Sequence, residues 1–313
     1  MSSNLFRFAY FGLPLGALAL ARAGFVPRVI VLGHTDAPGA RRVQRQLDQD
    51  TLVLPKPELS DPDVVRSLAD VRPEALLCWF YPKQIPAAVL RLAPRGAFGA
   101  HPSLLPRWRG PDPYFWAIYS GDRETGVSLH RLDEEYDTGA VIAQETLTID
   151  PRENAWRLAK RLDRPALSLL VRCAEALAAG AALLGTAQDE SGATPAPAPD
   201  DTLLSIDWTR PVAEIVRLVR AAAPYPGAST EFGDELVELL DAHPYPASLP
   251  RVLEPRDAVW TPEGLVVRAG DGGVVVNRLR DVDGRVWCGG ELADLFPDGL
   301  ARVGFEPANR PER

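Results

Sequence analysis

Few side chains in this chain of 313 residues have the types and spacing for chemistry on a small molecule. The four histidines are His34, His101, His130 and His243. Of these, His101 stands out because it ends the apolar run "GAFGAH" and opens "PSLLPRWRG". Imidazole is the side chain best suited to take and return a proton near neutral pH. A polar residue two positions upstream would give it a partner, but that position is Gly99. Other chemistries find little support. Cys78, Cys173 and Cys288 lie far apart, and neither they nor the histidines have metal-ligand spacing, so no metal is expected. An odd, sparse set of thiols suits a reducing cytoplasm. "GLPLG", with Gly12 and Gly16, follows a strand-like run but is not the dinucleotide fingerprint, and a tight strand-to-helix turn explains it.

The elements that must position His101 follow from hydrophobic patterning. "LFRFAY" and "VPRVIVLG" bracket a helix candidate, "LPLGALALARAG". "TLVLP" precedes "DPDVVRSLADVRP", which opens with the Asp-Pro pair of a helix start. Then come "ALLCWFY", the helix-like "IPAAVLRLA", "GAFGAH" and a helix candidate in "PDPYFWAIYSG". This alternation, with near-continuous apolar strands, predicts an α/β domain with a doubly wound, mostly parallel sheet. Such sheets bind ligands at the carboxyl ends of their strands, and His101 lies at one. "TGVSLHRL" and "GAVIAQETLTI" add two strands joined by the acidic loop "DEEYDT". A long amphipathic helix follows, expected to bend or break at Pro165. The Pro-rich "QDESGATPAPAPDD" reads as a linker. The expected division is a catalytic domain over 1–187, a linker over 188–200 and a smaller β domain over 201–313. The tail "GFEPANRPER" carries no functional signal and is expected to be mobile.

Charge narrows the partners. From Asp200 onward there are 20 Asp and Glu against 12 Arg and no Lys, while the preceding residues balance at 22 of each sign. Nucleic-acid affinity comes largely from neutralised phosphates, so an acidic C-terminal third argues against an RNA-binding role. No stretch approaches the roughly 20 apolar residues of a membrane span. The N-terminal run lacks a cleavage-site pattern and reads as the first strand, turn and helix of the domain rather than a signal peptide.

The residues around His101 resemble the hallmark of the folate-dependent formyltransferase family. That family includes methionyl-transfer-RNA formyltransferases, sugar-nucleotide N-formyltransferases and formyltetrahydrofolate hydrolases. The hallmark is Asn-x-His, then Ser-Leu-Leu-Pro-x-x-Arg-Gly, then a downstream Asp-x-Gly. His101, Ser103, Leu104, Leu105, Pro106, Arg109 and Gly110 match the first part, and Asp137 and Gly139 match the second. "SIDWTRPVAEIVRLVRAAAPYPGA" resembles the entry to the family's OB-like C-terminal barrel. "FAY", "HTDAPG", "LAPRGAF" and "DPYFWAIYSGDRETGVSLHR" look closest to formyltransferases acting on UDP-4-amino-4-deoxy-L-arabinose.

The resemblance implies formyl transfer from 10-formyltetrahydrofolate to a primary amine. His101 then polarises or protonates at the formyl centre, while Asp137 orients it and helps accept the amine's proton. Pterin contacts fall on Lys83, Gln84 and Ile85 of "YPKQIP" and on the loop Asp133, Glu134, Glu135, Tyr136 and Asp137. Ser103, Arg107, Trp108, Arg109 and Tyr114 are candidates for the acceptor, with Arg109 equally suited to bracing its own loop. The family's asparagine aligns with Gly99, which removes an oxyanion donor worth roughly 10²–10³ in rate. Gln84, Ser103 or a water could replace it. Otherwise the site could serve another acyl donor, a hydrolase or a non-catalytic folate binder. Among acceptors, the charge balance and local wording favour a nucleotide-linked amino sugar over initiator transfer RNA.

Overall fold

The computed structural model describes residues 6–37, 39–47, 50–233, 235–249, 252–295 and 303. The C-terminal tail lies outside them. The chain divides into two compact units, one of 1–113, 124–148 and 159–197, the other of 114–123, 149–158 and 198–313.

The first unit is built on a seven-stranded sheet. In chain order its elements are β1 (Phe8–Gly12), α1 (Pro14–Arg22), β2 (Val29–Leu32), α2 (Ala40–Gln46), β3 (Leu52–Pro55), α3 (Pro62–Asp70), β4 (Ala75–Trp79), α4 (Ala87–Leu90) and β5 (Ala97–His101). The strand order is β3-β2-β1-β4-β5, extended by β6 (Glu124–Arg131) and β7 (Val141–Thr148). Pairing is parallel from β3 to β5 and antiparallel from β5 to β7. Of the apolar runs that read as strands, β1, β2 and β5 are buried at every position, whereas β3 and β7 at the two edges are partly exposed. One core packs Ala9, Phe11, Val29, Val31, Leu68 and Leu76 together. At the start of α3 the Asp61 side chain accepts from the Asp63 N–H and Pro62 takes the first helical position, as a capped helix start requires. His101 is the last residue of β5, at the carboxyl edge of the parallel sheet.

Between β5 and β6 lies α5 (Pro113–Tyr119), and after β7 comes α6 (Ala155–Ala178). Two sequence expectations need correction. "IPAAVLRLA" yields only the single turn of α4. The long helix runs unbroken through Pro165. An interior proline costs about 3 kcal/mol. Leu158, Leu162, Leu169, Leu170 and Leu177 are all buried at helical spacing, and each contributes roughly 1.5–3 kcal/mol. The buried stripe outweighs the lost hydrogen bond.

The second unit holds α7 (Asp201–Leu204) and α8 (Val212–Ala222), then an antiparallel sheet. Its strands are β8 (Ala228–Phe232), β9 (Glu235–Pro244), β10 (Ala258–Thr261), β11 (Gly264–Arg268), β12 (Gly273–Arg280) and β13 (Val286–Cys288), followed by α9 (Leu292–Leu295). The order is β10-β11-β12-β9-β8, with β13 also pairing β12. Helix α8 buries Ile215, Val216, Leu218 and Val219 and packs on β9. Arg217 Nε donates to Tyr119 O at 3.0 Å and Arg220 Nε to Glu153 O at 2.9 Å, which ties the two early excursions into this unit. No helix among the described residues is long and apolar enough to cross a membrane.

The expected linker over 188–200 is corrected as well. Its first ten residues belong to the first unit. Thr194 N–H donates to Pro106 O at 3.3 Å, Arg109 N–H to Thr194 O at 2.9 Å and Asp112 N–H to Ala196 O at 3.0 Å. A Pro-rich segment reads as a spacer, but Thr194 and Ala196, set beside its prolines, keep both N–H and carbonyl for pairing.

Candidate active site

The chain leaves β5 at His101 and turns through the segment Ser103–Gly110. A buried polar network fixes this turn. Ser128 Oγ, on β6, donates to Ser103 O at 2.7 Å and accepts from Leu105 N–H at 2.9 Å. Gln144 Nε2, on β7, reaches both Ser128 Oγ at 2.8 Å and Leu105 O at 3.0 Å. Trp108 takes a left-handed backbone, φ +62°, and its N–H donates to Thr194 Oγ1 at 2.9 Å. Its carbonyl receives His101 Nε2 at 2.9 Å. A carbonyl can only accept, so this nitrogen carries the proton.

Asp137 closes the site from the loop between β6 and β7. Its φ is +58°, a conformation Asp tolerates better than most residues. Carboxylate Oδ2 accepts from the Gly110 N–H at 3.0 Å, and Oδ1 stands 3.4 Å from His101 Nδ1. Imidazole and carboxylate are mostly buried, so their interaction is screened little. Gly139 explains its own identity. A Cβ there would lie 2.0 Å from Arg131 O, so only glycine lets the loop return against β6.

A second imidazole meets the same carboxylate oxygen. His130 Nε2 lies 3.6 Å from Asp137 Oδ1, and its Nδ1 lies 2.8 Å from Arg131 O. Burial, with His101 adding to it, pushes the His130 ring down to about 4, against the pull of Asp137. The ring is therefore neutral at neutral pH. His130 faces Gly99 across the β5–β6 ladder, and Cys78 faces Gly99 from β4. Burial drives the Cys78 thiol up to about 12, which leaves it a poor nucleophile.

The pterin candidates form two loops joined by one contact, in which Gln84 Nε2 donates to Glu134 O. Lys83 Nζ pairs with Glu58 at 3.5 Å, and Ile85 is buried. The backbone N–H groups of Lys83, Gln84 and Ile85 donate to no protein acceptor among the described residues, which leaves an open edge for the acceptors of a flat heterocycle. Opposite, Asp133 Oδ1 accepts from Glu135 N–H at 3.2 Å and Thr138 Oγ1 at 2.8 Å. Glu134 faces Arg91 at 3.9 Å, while Tyr136 is exposed. In chemistry these residues, main-chain donors and an exposed aromatic ring, fit a folate's polar edge and flat ring.

The acceptor candidates fare differently. Arg109 Nη2 pairs with Glu190 at 2.7 Å and Nε with Gln188 Oε1 at 3.1 Å. The Glu190 hydrogen bond raises its affinity for its proton. Its guanidinium braces its own loop, one of the two roles expected of it. Ser103 Oγ donates to Arg107 O at 2.6 Å, and the Arg107 guanidinium lies 4.2 Å over the buried Trp108 ring, so neither Ser103 nor Trp108 offers a free face to a ligand. Tyr114 sits half-buried on α5 in the second unit. Gln84 and Ser103 are thus both engaged by backbone carbonyls, those of Glu134 and Arg107. The residues missed in the sequence are His130, Ser128, Gln144 and Gln188. Of these only His130 carried a signal, a histidine inside the strand-like run "TGVSLHRL".

Residues 27–174 match the formyl transferase domain, and residues 201–292 match the formyl transferase C-terminal domain. A methionyl-tRNA formyltransferase of Anaeromyxobacter dehalogenans is 34% identical over 293 residues, which cover 89% of this chain and 93% of that protein. Among solved structures, HypX from Aquifex aeolicus in complex with tetrahydrofolic acid aligns at 20% identity and a TM-score of 0.63. That alignment covers 98% of this chain and 50% of HypX, so the chain spans about half of HypX. WlaRD, a sugar 3N-formyl transferase solved with dTDP and 5-N-formyl-THF, aligns at 14% identity and a TM-score of 0.65 over 89% of this chain and 98% of WlaRD. With both domains matched and one third of the sequence shared across nearly the full length, the chain belongs to the formyltransferase family, enzymes that draw their one-carbon unit from formyltetrahydrofolate donors.

Proposed function

We propose that His101 and Asp137 move the proton in formyl transfer from 10-formyltetrahydrofolate to a primary amine, and that the amine belongs to a nucleotide-linked sugar. The observation that carries the chemistry is the 3.4 Å separation of His101 Nδ1 and Asp137 Oδ1 at the carboxyl end of β5. Acyl transfer to an amine needs an uncharged nitrogen, a group that takes its proton and a group that returns one. Asp137, anchored through Oδ2 by Gly110, keeps Oδ1 turned to the imidazole and accepts the amine's proton. His101, held by the Trp108 carbonyl, presents Nδ1 to that oxygen and becomes the acid when charged. The bound donor supplies the electrophilic formyl carbon. Lys83, Gln84, Ile85 and the loop 133–137 hold its pterin.

The acidic residues from Asp200 onward support the sugar acceptor. The 34% identity to a methionyl-tRNA formyltransferase supports initiator RNA as the second reading. The cysteines, all unpaired, suit a reducing cytoplasm. The test is release of tetrahydrofolate from the formyl donor with amino-sugar nucleotides, with charged initiator RNA and with neither. Release that needs the sugar nucleotide is expected. Release only with the RNA overturns the acceptor, and equal release without any amine overturns transfer in favour of hydrolysis.

A further inference from the structure

We propose that His130 is a positioning residue of this site, its bare Nε2 serving as the hydrogen-bond acceptor for a proton carried on Asp137 Oδ1. Its effect on rate rests on the formyl-transfer reading, while its geometry does not.

The argument begins with tautomers. The Arg131 carbonyl lies 2.8 Å from His130 Nδ1 and can only accept, so Nδ1 holds the hydrogen. In the neutral ring Nε2 then carries a lone pair, and it lies 3.6 Å from Asp137 Oδ1. His101 is constrained in the same way. Its Nε2 donates to Trp108 O at 2.9 Å, so its Nδ1, 3.4 Å from that same oxygen, is also bare while the ring is neutral. Two lone pairs converging on one carboxylate oxygen repel. The group coheres when a proton is shared among the three.

The surroundings decide which member stays neutral. Toward this cluster face His101 from β5, Asp133 and Asp137 from the β6–β7 loop, the Arg109 guanidinium from the turn after β5 and the Cys78 thiol from β4. The His130 ring is 2% exposed, and burial keeps it uncharged. It therefore accepts without taking the charge. When Asp137 takes the amine's proton, an N–H bond breaks and an O–H bond forms at Oδ1. That O–H donates to His130 Nε2 until the proton passes to His101 Nδ1.

Gly99 fits this assignment. A Cβ there would stand 3.3 Å from His130 Nε2 and 2.8 Å from Leu132 Cδ2. The space beside His101 where a side chain at position 99 would begin is bordered instead by an acceptor nitrogen and a leucine methyl. The site has exchanged a possible donor for an acceptor.

The test has two arms. Nitrogen-15 spectra of histidine-labelled protein at pH 7 should report His130 with hydrogen on Nδ1 and none on Nε2. An Nε2–H tautomer or a charged ring overturns the proposal without reference to turnover. In the second arm, H130F should lower kcat about tenfold, the scale of one lost hydrogen bond, and shift the acidic limb of the kcat/KM profile to lower pH. H130Q, whose amide oxygen accepts, should restore the limb. An unmoved limb in H130F, with only overall rate lost, marks a structural role and overturns the proposal. If the wild type transfers formyl to no amine, the functional reading fails while the spectra still decide the assignment.

Discussion

His101 donates through Nε2 to the carbonyl of Trp108, 2.9 Å away, and Trp108 sits at φ +62°. A bulky residue in the left-handed region costs on the order of 1–3 kcal/mol. The Thr194 hydroxyl, the Arg107 guanidinium over the ring and the burial of the indole help to hold it there. This turn sets the tautomer of the imidazole, and the tautomer sets which nitrogen faces Asp137.

Replacing Asp137 by Asn keeps the shape and removes the proton acceptor. We expect kcat to fall by roughly 10²–10⁴, the usual worth of a positioned acid–base group, with folate affinity little changed. Steady-state kinetics and a folate titration check this together. A fall in folate affinity with kcat intact would move Asp137 from proton transfer to binding.

Replacing Gly99 by Asn restores the family's amide at a crowded position. With Leu132 Cδ2 at 2.8 Å and His130 Nε2 at 3.3 Å from the new Cβ, we expect about 1–3 kcal/mol of lost stability by urea unfolding. L132A should relieve it. We expect no gain in kcat, because the amide has His130 Nε2 beside it as a partner. A gain of tenfold or more would show that the missing donor limits the reaction.

Gln188 Nε2 donates to Asp137 O and Gly139 O, each at 2.8 Å, while its oxygen receives Arg109. Q188A leaves two loop carbonyls unpaired. The expected outcome is lower kcat with an unchanged acceptor KM, since Asp137 loses its seat and no substrate contact is removed. A raised KM alone would return Arg109 and its neighbours to substrate binding.

His130 also makes stability depend on pH. Its folded value of about 4 lies below the ordinary 6.5, so the unfolded chain binds the proton more readily between those values. The His130 contribution to stability should be level above about pH 6.5, decline as pH falls toward 4 by at most roughly 1.4 kcal/mol per unit, and level off below. Urea midpoints measured across pH 4–7 should fall less steeply in H130F than in the wild type. Parallel curves would contradict the neutral ring.

The strands and their layering were readable because buried parallel strands are written as apolar runs, and all seven stretches singled out along the first half formed strands of one sheet. His101 and Asp137 were readable through a spaced motif, and the fold brings them 3.4 Å apart. The long helix misled because proline is a local signal, whereas the stripe from Leu158 to Leu177 acts over many turns. Arg109 was undecidable because its partners Gln188 and Glu190 lie about eighty residues away in what looked like a spacer. His130 was overlooked because register, not sequence distance, sets it opposite Gly99.

The segment 188–196 gives the turn after β5 a second wall. A chain cut after residue 187 would keep every strand of the seven-stranded sheet and both imidazoles. It would lose the groups that cradle Trp108, Arg109 and Asp137. The shortest piece of this polypeptide expected to turn over therefore ends no earlier than Ala196, and protease nicking within the Ala- and Pro-rich stretch should silence the enzyme long before it unfolds it.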